Sequence, residues 1–332
     1  MKKILTYLFE HKTLTREQSR EVLINISRGQ YNDSEVTAFI TVYMMRTITI
    51  SELEGFRDAL LELCVPLKFE GEEFTDIVGT GGDGKNTFNI STLACFIVAG
   101  AGHKVVKHGN YGASTISGAS NVMEELGYVF RNDNAVLQKE LDGAGICFLH
   151  APLFHPALKA VGPIRKNLGI RSFFNMLGPL VNPAKPKFQV IGVYNLEMAR
   201  IYNYLLQQTD ATFTLLHSLD GYDEISLTND TKVITRNGER IFSAIELGKR
   251  LVSPQDIHGG QTTREAAKLF SSIIAGKGSW SQNAVVLANA AIALFNSGHY
   301  QSYNDAYHAA VESLESGKAE QALTKLIDIN RQ

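Results

Sequence analysis

The chain of 332 residues is long enough to form one large or two ordinary domains with a buried core. Its composition, 44% hydrophobic and 20% charged, is typical of a soluble globular protein. A net charge of -2 gives no overall attraction to nucleic acid or to a membrane surface, so any basic site must be local.

Three features of the sequence predict a cytoplasmic protein. Glu10 and His11 interrupt the N-terminal segment where a signal peptide would continue its apolar core, and no apolar run is long enough to span a bilayer. Cys64, Cys95 and Cys147 lie far apart in apolar surroundings, which indicates buried, inert thiols in a reducing compartment.

Residues 1–65 are predicted to form four helices, the first at about residues 2–10. Thr15 with Gln18, and Thr49 with Glu52, have the spacing of a capping box, and Asp33-Ser34 offers a third helix start. The third helix carries an apolar stripe that would pack within a helical bundle or in part against a second subunit. The stripe consists of Phe39, Ile40, Tyr43 and Met44.

From residue 74 onward, apolar runs alternate with helical segments. The runs predict strands at residues 74–78, 104–107, 146–149, 188–193 and 212–217, and the helices between them fall at about 91–101, 118–127, 134–142, 155–168 and 197–208. Such alternation is typical of a parallel sheet with helices on both faces. Short runs follow at 224–228, 233–235 and 239–243, with Asn237-Gly238 as a hairpin turn, and the chain is helical from Thr263.

We therefore predict an α/β fold, in which a small all-helical domain is joined by a hinge to a larger domain with a central, mainly parallel sheet flanked by helices. The polar segment 66–73 is the predicted hinge. Residues 171–180 interrupt the alternation and are a candidate to rejoin the bundle. The predicted boundaries are 1–70 with a returning segment at about 168–186 for the helical domain, and 71–167 with 187–332 for the α/β domain.

A glycine-rich loop follows the first predicted strand, with four glycines among the six residues 79–84. Ser91 then offers a cap for a helix, and a strand, a glycine loop and a helix N-terminus together are suited to bind phosphate. The loop matches neither the Walker spacing nor the dinucleotide spacing, so an ordinary turn is the plainer alternative. The polar residues around it favour a polyphosphate with a divalent cation: Asp83, Lys85, Asn86, Thr87, Asn89, Ser91 and Thr92.

A second polar loop, residues 107–115, follows the second predicted strand. Loops at the carboxyl ends of parallel strands share one crevice, so this loop should face the first, and Lys107 would bring a cation to the anion site. Asp223-Glu224 adds adjacent carboxylates after a later strand, enough for Mg²⁺, although a solvated acidic pair is the alternative. Arg165 could bind a carboxylate, form a structural ion pair or lie on a helix surface.

These residues closely resemble the motifs of the anthranilate phosphoribosyltransferase family. The resemblance rests on Gly79-Thr80-Gly81-Gly82-Asp83, Asn89-Ile90-Ser91-Thr92 and Lys107-His108-Gly109-Asn110, and continues through residues 155–165, Arg171, residues 175–183 and Asp223-Glu224. It spans residues 1–330. It implies that anthranilate attacks C1 of 5-phosphoribosyl diphosphate and releases pyrophosphate, and that helical parts form a homodimer.

The resemblance also implies the site residues. Those for 5-phosphoribosyl diphosphate are Gly79, Gly82, Asp83, Thr87, Asn89, Ile90, Ser91, Thr92, Lys107, His108, Gly109, Asn110, Tyr111, Gly112, Ala113, Ser114, Thr115 and Ala119. Those for anthranilate are Gly79, Asn110 and Arg165, and those for magnesium are Ser91, Asp223 and Glu224. The implied cofactor is Mg²⁺, two ions per subunit, with no nucleic acid and no membrane as partner.

The sequence departs from the family pattern at three places. Tyr111-Gly112 stands where an Arg-Ser pair is more common, Ala119 replaces a serine that contacts the ribosyl substrate, and Leu158 replaces a methionine. The missing arginine bears on affinity for phosphate more than on the type of reaction. We expect His108 to shape the site rather than to transfer a proton.

Two other functions share parts of this pattern. A pyrimidine nucleoside phosphorylase would use phosphate as acceptor and would not need the carboxylates of Asp223 and Glu224. A non-catalytic relative that binds nucleic acid should have a basic surface and degraded loops, whereas this chain is slightly acidic and its loops are intact.

Overall fold

The computed structural model describes residues 1–71, 73–112, 116–169, 171–248 and 250–331. The chain divides into two compact units. The helical unit is Met1–Leu67 with Ala151–Lys185, and the sheet unit is Lys68–His150 with Pro186–Gln332. The second helical segment therefore begins earlier than the predicted residue 168, and residues 151–167 belong to the helical unit rather than to the sheet unit.

The helices of the described residues lie close to their predicted positions. In chain order they are α1 (Lys2–Phe9), α2 (Arg16–Ser27), α3 (Asp33–Met45), α4 (Ile50–Glu62), α5 (Ile90–Gly100), α6 (Ala119–Glu125), α7 (Asn134–Ala144), α8 (Ala151–Phe154), α9 (Pro156–Leu168), α10 (Leu196–Gln207), α11 (Ala244–Gly248), α12 (Thr263–Ile274), α13 (Trp280–Asn296), α14 (Tyr303–Glu315) and α15 (Lys318–Asn330). The strands are β1 (Thr75–Gly79), β2 (Val105–Gly109), β3 (Ile146–His150), β4 (Phe188–Gly192), β5 (Thr212–Ser218), β6 (Thr231–Thr235) and β7 (Gly238–Phe242).

Capping boxes begin three helices of the helical unit. Thr15 accepts from the Gln18 N–H and Thr49 from the Glu52 N–H, as predicted. The third box begins at Asn32, with Glu35 as its partner, so the predicted start at Asp33-Ser34 lies one residue late. Helix α9 packs against α2 and α3, which explains why residues 151–167 belong to this unit.

An aromatic cluster holds the returning segment within the helical unit. Phe39 and Tyr43 of the predicted apolar stripe are buried and contact Phe173, whose ring also stacks on that of Phe56 with centroids 4.5 Å apart. The stripe thus packs mainly inside the bundle. The segment itself forms two 3₁₀ turns, Phe173–Met176 and Gly178–Leu180.

One mixed sheet forms the centre of the sheet unit, in the order β3-β2-β1-β4-β5-β6-β7. Strands β1 to β5 pair in parallel, and β6 and β7 add an antiparallel hairpin. Thr235 pairs with Gly238, so Arg236-Asn237 rather than Asn237-Gly238 forms the turn. Strands β2 and β3 lie on one side of β1, and the later strands β4 to β7 lie on its other side. The strand order therefore reverses between β1 and β4, and their carboxyl ends are the switch point of the sheet.

The predicted run at residues 224–228 does not form a strand. Ile225 exchanges both of its backbone hydrogen bonds with the side chain of Asn289 in α13, at 3.1 Å and 2.8 Å, and Leu227 has a φ of 59°. The backbone is thereby turned away from a ladder.

Burial and helix length test two further expectations. Cys95 and Cys147 are buried as predicted, but Cys64 is only partly buried. None of the helices described is both long and apolar enough to cross a membrane.

Candidate active site

The glycine loop after β1 has a backbone that only glycine adopts easily. Gly81, Gly82 and Gly84 have φ values of 64°, 81° and 73°. Helix α5 begins at Ile90, so Ser91 already lies inside the helix and Asn89 is the residue at the N-cap position. The Asn89 side chain makes no cap bond. The predicted cap at Ser91 is therefore wrong, and the Asn89 amide instead donates to the Ser117 carbonyl at 3.0 Å.

Two facing glycines make room for Asp223 at the switch point. Gly79 ends β1, Gly192 ends β4, and the two are partners in the parallel register. A Cβ at Gly192 would overlap the Asp223 carbonyl oxygen, and a Cβ at Gly79 would overlap the Asp223 carboxylate. The absence of both side chains is what allows the loop after β5 to cross the ends of these strands.

Backbone N–H groups of the first loop and helix hold the two adjacent carboxylates. The Gly81 N–H donates to Asp223 Oδ2 at 2.7 Å, and the Ser91 N–H donates to Glu224 Oε1 at 2.9 Å. The structure thus brings Ser91, Asp223 and Glu224 together, as the sequence predicted for the metal ligands. Ile90 and Thr92 are buried, so their side chains face the core.

Asp83, Asp223 and Glu224 form an acidic cluster with excess negative charge. Burial and the neighbouring Asp83 raise the pKa of Asp223 to about 7. Burial and Asp223 raise the pKa of Glu224 well above its ordinary value, and burial likewise raises that of Asp83. Each carboxylate disfavours ionisation of the next, so a cation at this place would stabilise all three.

The donor set fits Mg²⁺ better than a metal held by protein ligands alone. Among the described residues, no three His, Cys, Asp or Glu side chains are placed to hold a metal ion together. Mg²⁺ prefers oxygen, keeps several waters and needs only one or two carboxylates together with substrate phosphates. The Asp223 and Glu224 oxygens that are not bonded to the backbone, with the Ser91 hydroxyl, would supply that part of its coordination.

Two lysines lie near the acidic cluster. Lys107 is 2% exposed and its ammonium donates to the Ile77 carbonyl at 2.6 Å, and its charge lowers the pKa of Glu224 against the larger effect of burial. Lys85 places its ammonium 4.6 Å from the centre of the Tyr222 ring. Lys107 is therefore a buried charge close to the acidic cluster.

The second loop is closed by a single amide oxygen. Asn121 Oδ1 accepts from the N–H groups of both Gly112 and Gly118, each at 3.0 Å. The Asn110 side-chain oxygen accepts the backbone N–H of Tyr111 at 2.8 Å. His108 is buried, and its backbone N–H donates to Asp76 Oδ1 at 3.3 Å. Ala119 begins α6 and would be 3.5 Å from a Cβ at Gly109. The predicted ligands Ala113, Ser114 and Thr115 lie outside the described residues.

A third segment, which the sequence reasoning missed, clamps the first loop. Asn86 accepts from the Gly259 N–H and donates to the Gly260 carbonyl, each at 2.7 Å, while Thr87 forms a β-bridge with His258. A Cβ at Gly259 would crowd the backbone of Thr87. The pair Gly259-Gly260 was the only signal in the sequence for this contact.

Arg165, the predicted anthranilate ligand, lies on α9 in the helical unit, whereas Gly79 and Asn110 belong to the sheet unit. Its guanidinium donates to Asn175 Oδ1 at 3.4 Å and lies 5.4 Å from the centre of the Phe174 ring. Burial lowers its pKa, and within the described ranges no carboxylate forms an ion pair with it. A half-buried guanidinium in this state is suited to receive an external anion.

Both the sequence and the fold match known proteins. Residues 2–64 match the helical bundle domain, and residues 71–320 the a/b domain, of a glycosyl transferase family. Anthranilate phosphoribosyltransferase of Flavobacterium johnsoniae is 57% identical over 99% of this chain and 100% of its own. The Thermus thermophilus enzyme of that name has a TM-score of 0.91 at 29% identity over 99% of both chains. The Saccharomyces cerevisiae enzyme, in complex with PRPP and Mg, has a TM-score of 0.88 at 26% identity over 96% of this chain and 94% of that one.

The helical bundle and the parallel sheet with its glycine loops define the class of glycosyl transferases with these two domains. At this level of identity, over nearly its full length, the chain belongs to the anthranilate phosphoribosyltransferase family. The predicted resemblance, the fold class and the assignment as a transferase are confirmed. The comparisons favour this family over the phosphorylase and nucleic-acid-binding alternatives.

Asp223→Asn should stabilise the metal-free protein at alkaline pH. The pKa of Asp223 is raised from 3.8 to about 7, so between these values the folded protein holds a proton that the unfolded chain has released. Its free energy of unfolding therefore falls as pH rises through this window. Thermal melting should place the variant above the wild type at about pH 8 and close to it at about pH 4.5, because the amide does not ionise. The exposed Asp328→Asn serves as control, and an equal gain at both pH values would contradict the prediction.

Gly192→Ala should destabilise the sheet unit, because its Cβ would overlap the backbone of Asp223. We expect a loss of about 1–3 kcal/mol or more in the free energy of unfolding, measured by denaturant titration. Gly162→Ala in α9 is the matched control, since its Cβ would meet no atom within 4 Å. The control should be neutral or slightly stabilising. Equal stability of the two variants would show that Asp223 does not rest on β4.

Proposed function

We propose that the chain transfers the 5-phosphoribosyl group of 5-phosphoribosyl diphosphate to the amino group of anthranilate, with release of pyrophosphate, as a step of tryptophan biosynthesis. The observation that supports this most strongly is the acidic cluster at the switch point, which is short of positive charge and lies beside an open glycine loop. The Saccharomyces cerevisiae relative, which has the same fold, is a complex with PRPP and Mg.

The phosphates of the donor substrate would lie along the two loops of the sheet unit. Gly79, Gly82 and Asp83 with Thr87 and the N-terminus of α5 form the first rim, because backbone N–H groups and the helix dipole favour an anion there. Residues 107–112 and Ala119 form the second. Mg²⁺ on Ser91, Asp223 and Glu224 would supply positive charge where the pyrophosphate departs.

Arg165, Asn110 and Gly79 would bind anthranilate. The guanidinium of Arg165 has no carboxylate partner among the described residues, and it offers the planar fork that suits the carboxylate of the acceptor. The amino nitrogen of anthranilate carries its own lone pair, so attack at C1 needs position more than a base. His108 is buried and holds Asp76 through its backbone, which supports a role in shape rather than in proton transfer.

Three expectations remain proposals. A homodimer through the helical unit would cover apolar side chains that are exposed there, including Phe9 at 64% and Met45 at 85%, and the mass in solution tests it. The yeast complex with PRPP and Mg supports the use of Mg²⁺. A second ion per subunit would need Asp83 as a further ligand beside Asp223 and Glu224. A cytoplasmic location stays a prediction.

The double variant Asp223→Asn/Glu224→Gln should lose catalysis. With wild-type protein, anthranilate fluorescence should fall when 5-phosphoribosyl diphosphate and Mg²⁺ are added. We expect kcat/KM of the variant to be lower by about a hundredfold or more, because the charge that assists the leaving group is lost. Glu239→Gln, an exposed carboxylate on β7, should keep the wild-type rate. Full activity of the double variant, or of wild type in EDTA, would refute the metal assignment.

Arg165→Met should weaken anthranilate selectively. Charge-assisted hydrogen bonds contribute about 1.5–3 kcal/mol, so KM for anthranilate should rise roughly 10- to 100-fold while KM for the diphosphate changes little. Arg165→Lys should recover only part of the loss, because a lysine lacks the planar fork. Lys166→Met, the exposed neighbour on α9, is the control. Steady-state kinetics with each substrate varied in turn gives the result, and an unchanged KM for anthranilate would remove Arg165 from the site.

A further inference from the structure

Tyr111 lies where the family more often has an arginine, and its contacts show what this chain has in place of that charge. Its ring meets His150 edge to face, with centroids 4.8 Å apart and planes at 77°. Its hydroxyl donates to Glu124 in α6 at 2.7 Å. Tyr111 therefore spans the gap between the end of β3 and the outer face of α6, and adds no positive charge to the loop.

His150 is buried and is also held by Phe130 and Ser120. It is 5% exposed, and the Phe130 ring stacks on it at 4.6 Å with planes at 25°. Its Nδ1 lies 2.8 Å from the Ser120 hydroxyl. Burial lowers the pKa of this imidazole from its ordinary value, and the charge of Glu124 opposes that shift to a smaller extent. Burial thus favours the neutral ring. The ring is thus a rigid surface on which Tyr111 rests.

These contacts continue into the second loop. The Ser120 N–H donates to the Asn110 carbonyl at 3.2 Å, so the residue that holds His150 also holds the residue before Tyr111. The Asn110 side chain in turn accepts the Tyr111 N–H. Two atoms of Asn110 are therefore held: its backbone carbonyl oxygen by Ser120 and its side-chain oxygen by Tyr111.

We propose that His150 and Tyr111 are positioning residues for residues 107–112 of the second loop, and that their aromatic contact holds Asn110 and its described neighbours in place. His150 would act on the substrate indirectly, through its contacts with Tyr111 and Ser120. The inference rests on the proposed function, since it assigns a role in binding the donor substrate. The contact between Tyr111 and His150 adds no charge, so phosphate binding here would depend on backbone N–H groups, on the buried Lys107 and on the metal ion.

Kinetics of paired variants tests this role. Tyr111→Ala and His150→Ala should each raise KM for 5-phosphoribosyl diphosphate about three- to tenfold with kcat within about twofold, as expected for loss of one aromatic contact. Tyr111→Phe and His150→Phe keep the ring and should each recover most of the affinity relative to the alanine variants. Tyr204→Ala, an exposed tyrosine on α10, should match the wild type.

The outcomes separate the inference from the proposed function. If wild type turns over and Asp223→Asn/Glu224→Gln does not, yet Tyr111→Ala has the wild-type KM, the positioning role is wrong and the function stands. If the alanine variants lower only the melting temperature, or if the phenylalanine variants are no better than alanine, the contact is merely structural. If wild type shows no turnover, the proposed function itself fails.

Discussion

The closeness of Asp223 to the ends of β1 and β4 is the constraint on which the site depends. Gly79 and Gly192 lack the atoms that would keep the loop after β5 away from the sheet. The loop therefore lies against the strand ends, and Asp223 and Glu224 meet the N–H groups of the glycine loop and of the N-terminus of α5. Burying charge is costly unless hydrogen bonds compensate it, and here Gly81 and Ser91 compensate only part.

The first loop is held against this remaining cost by contacts with a distant segment. A cluster of carboxylates would push a flexible loop outward, but the backbone of Asn86 and Thr87 is tied to Gly259 and His258, and the Asn86 side-chain amide donates to the Gly260 carbonyl. The loop therefore keeps its shape while its charge is unbalanced. A site with this preorganisation does not need to reorder its donors when negative charge develops on a leaving group.

The elements were predictable because each has a local signal, whereas the contacts between distant segments were not. The five parallel strands were placed to within two residues at each end, since short apolar runs bounded by polar residues or glycine are distinctive. Gly192 was missed because a glycine that ends an apolar strand shows nothing of the loop that will cross it. Residues 258–260, which contact the first loop, show no hydrophobic periodicity that would reveal this contact. Helix α9 is amphipathic, and an amphipathic helix fits a helical bundle as well as the face of a sheet. Family motifs supplied Asp223 and Glu224, but their raised pKa values follow only from burial.

The charges in the site link metal and substrate in one equilibrium. Asp83, Asp223 and Glu224 outnumber the buried Lys107, and Tyr111 adds no second cation to the second loop. A diphosphate that entered alone would meet like charge, while a metal ion that entered alone would find carboxylates already bonded in part to backbone N–H groups. Each ligand therefore removes the repulsion that opposes the other, and because such coupling is reciprocal, the gain in affinity is the same in both directions. With an arginine in the second loop, part of that coupling would be replaced by a permanent charge. In this chain, which has Tyr111 at that position, the binding of a metal ion and of the donor substrate would depend more strongly on each other.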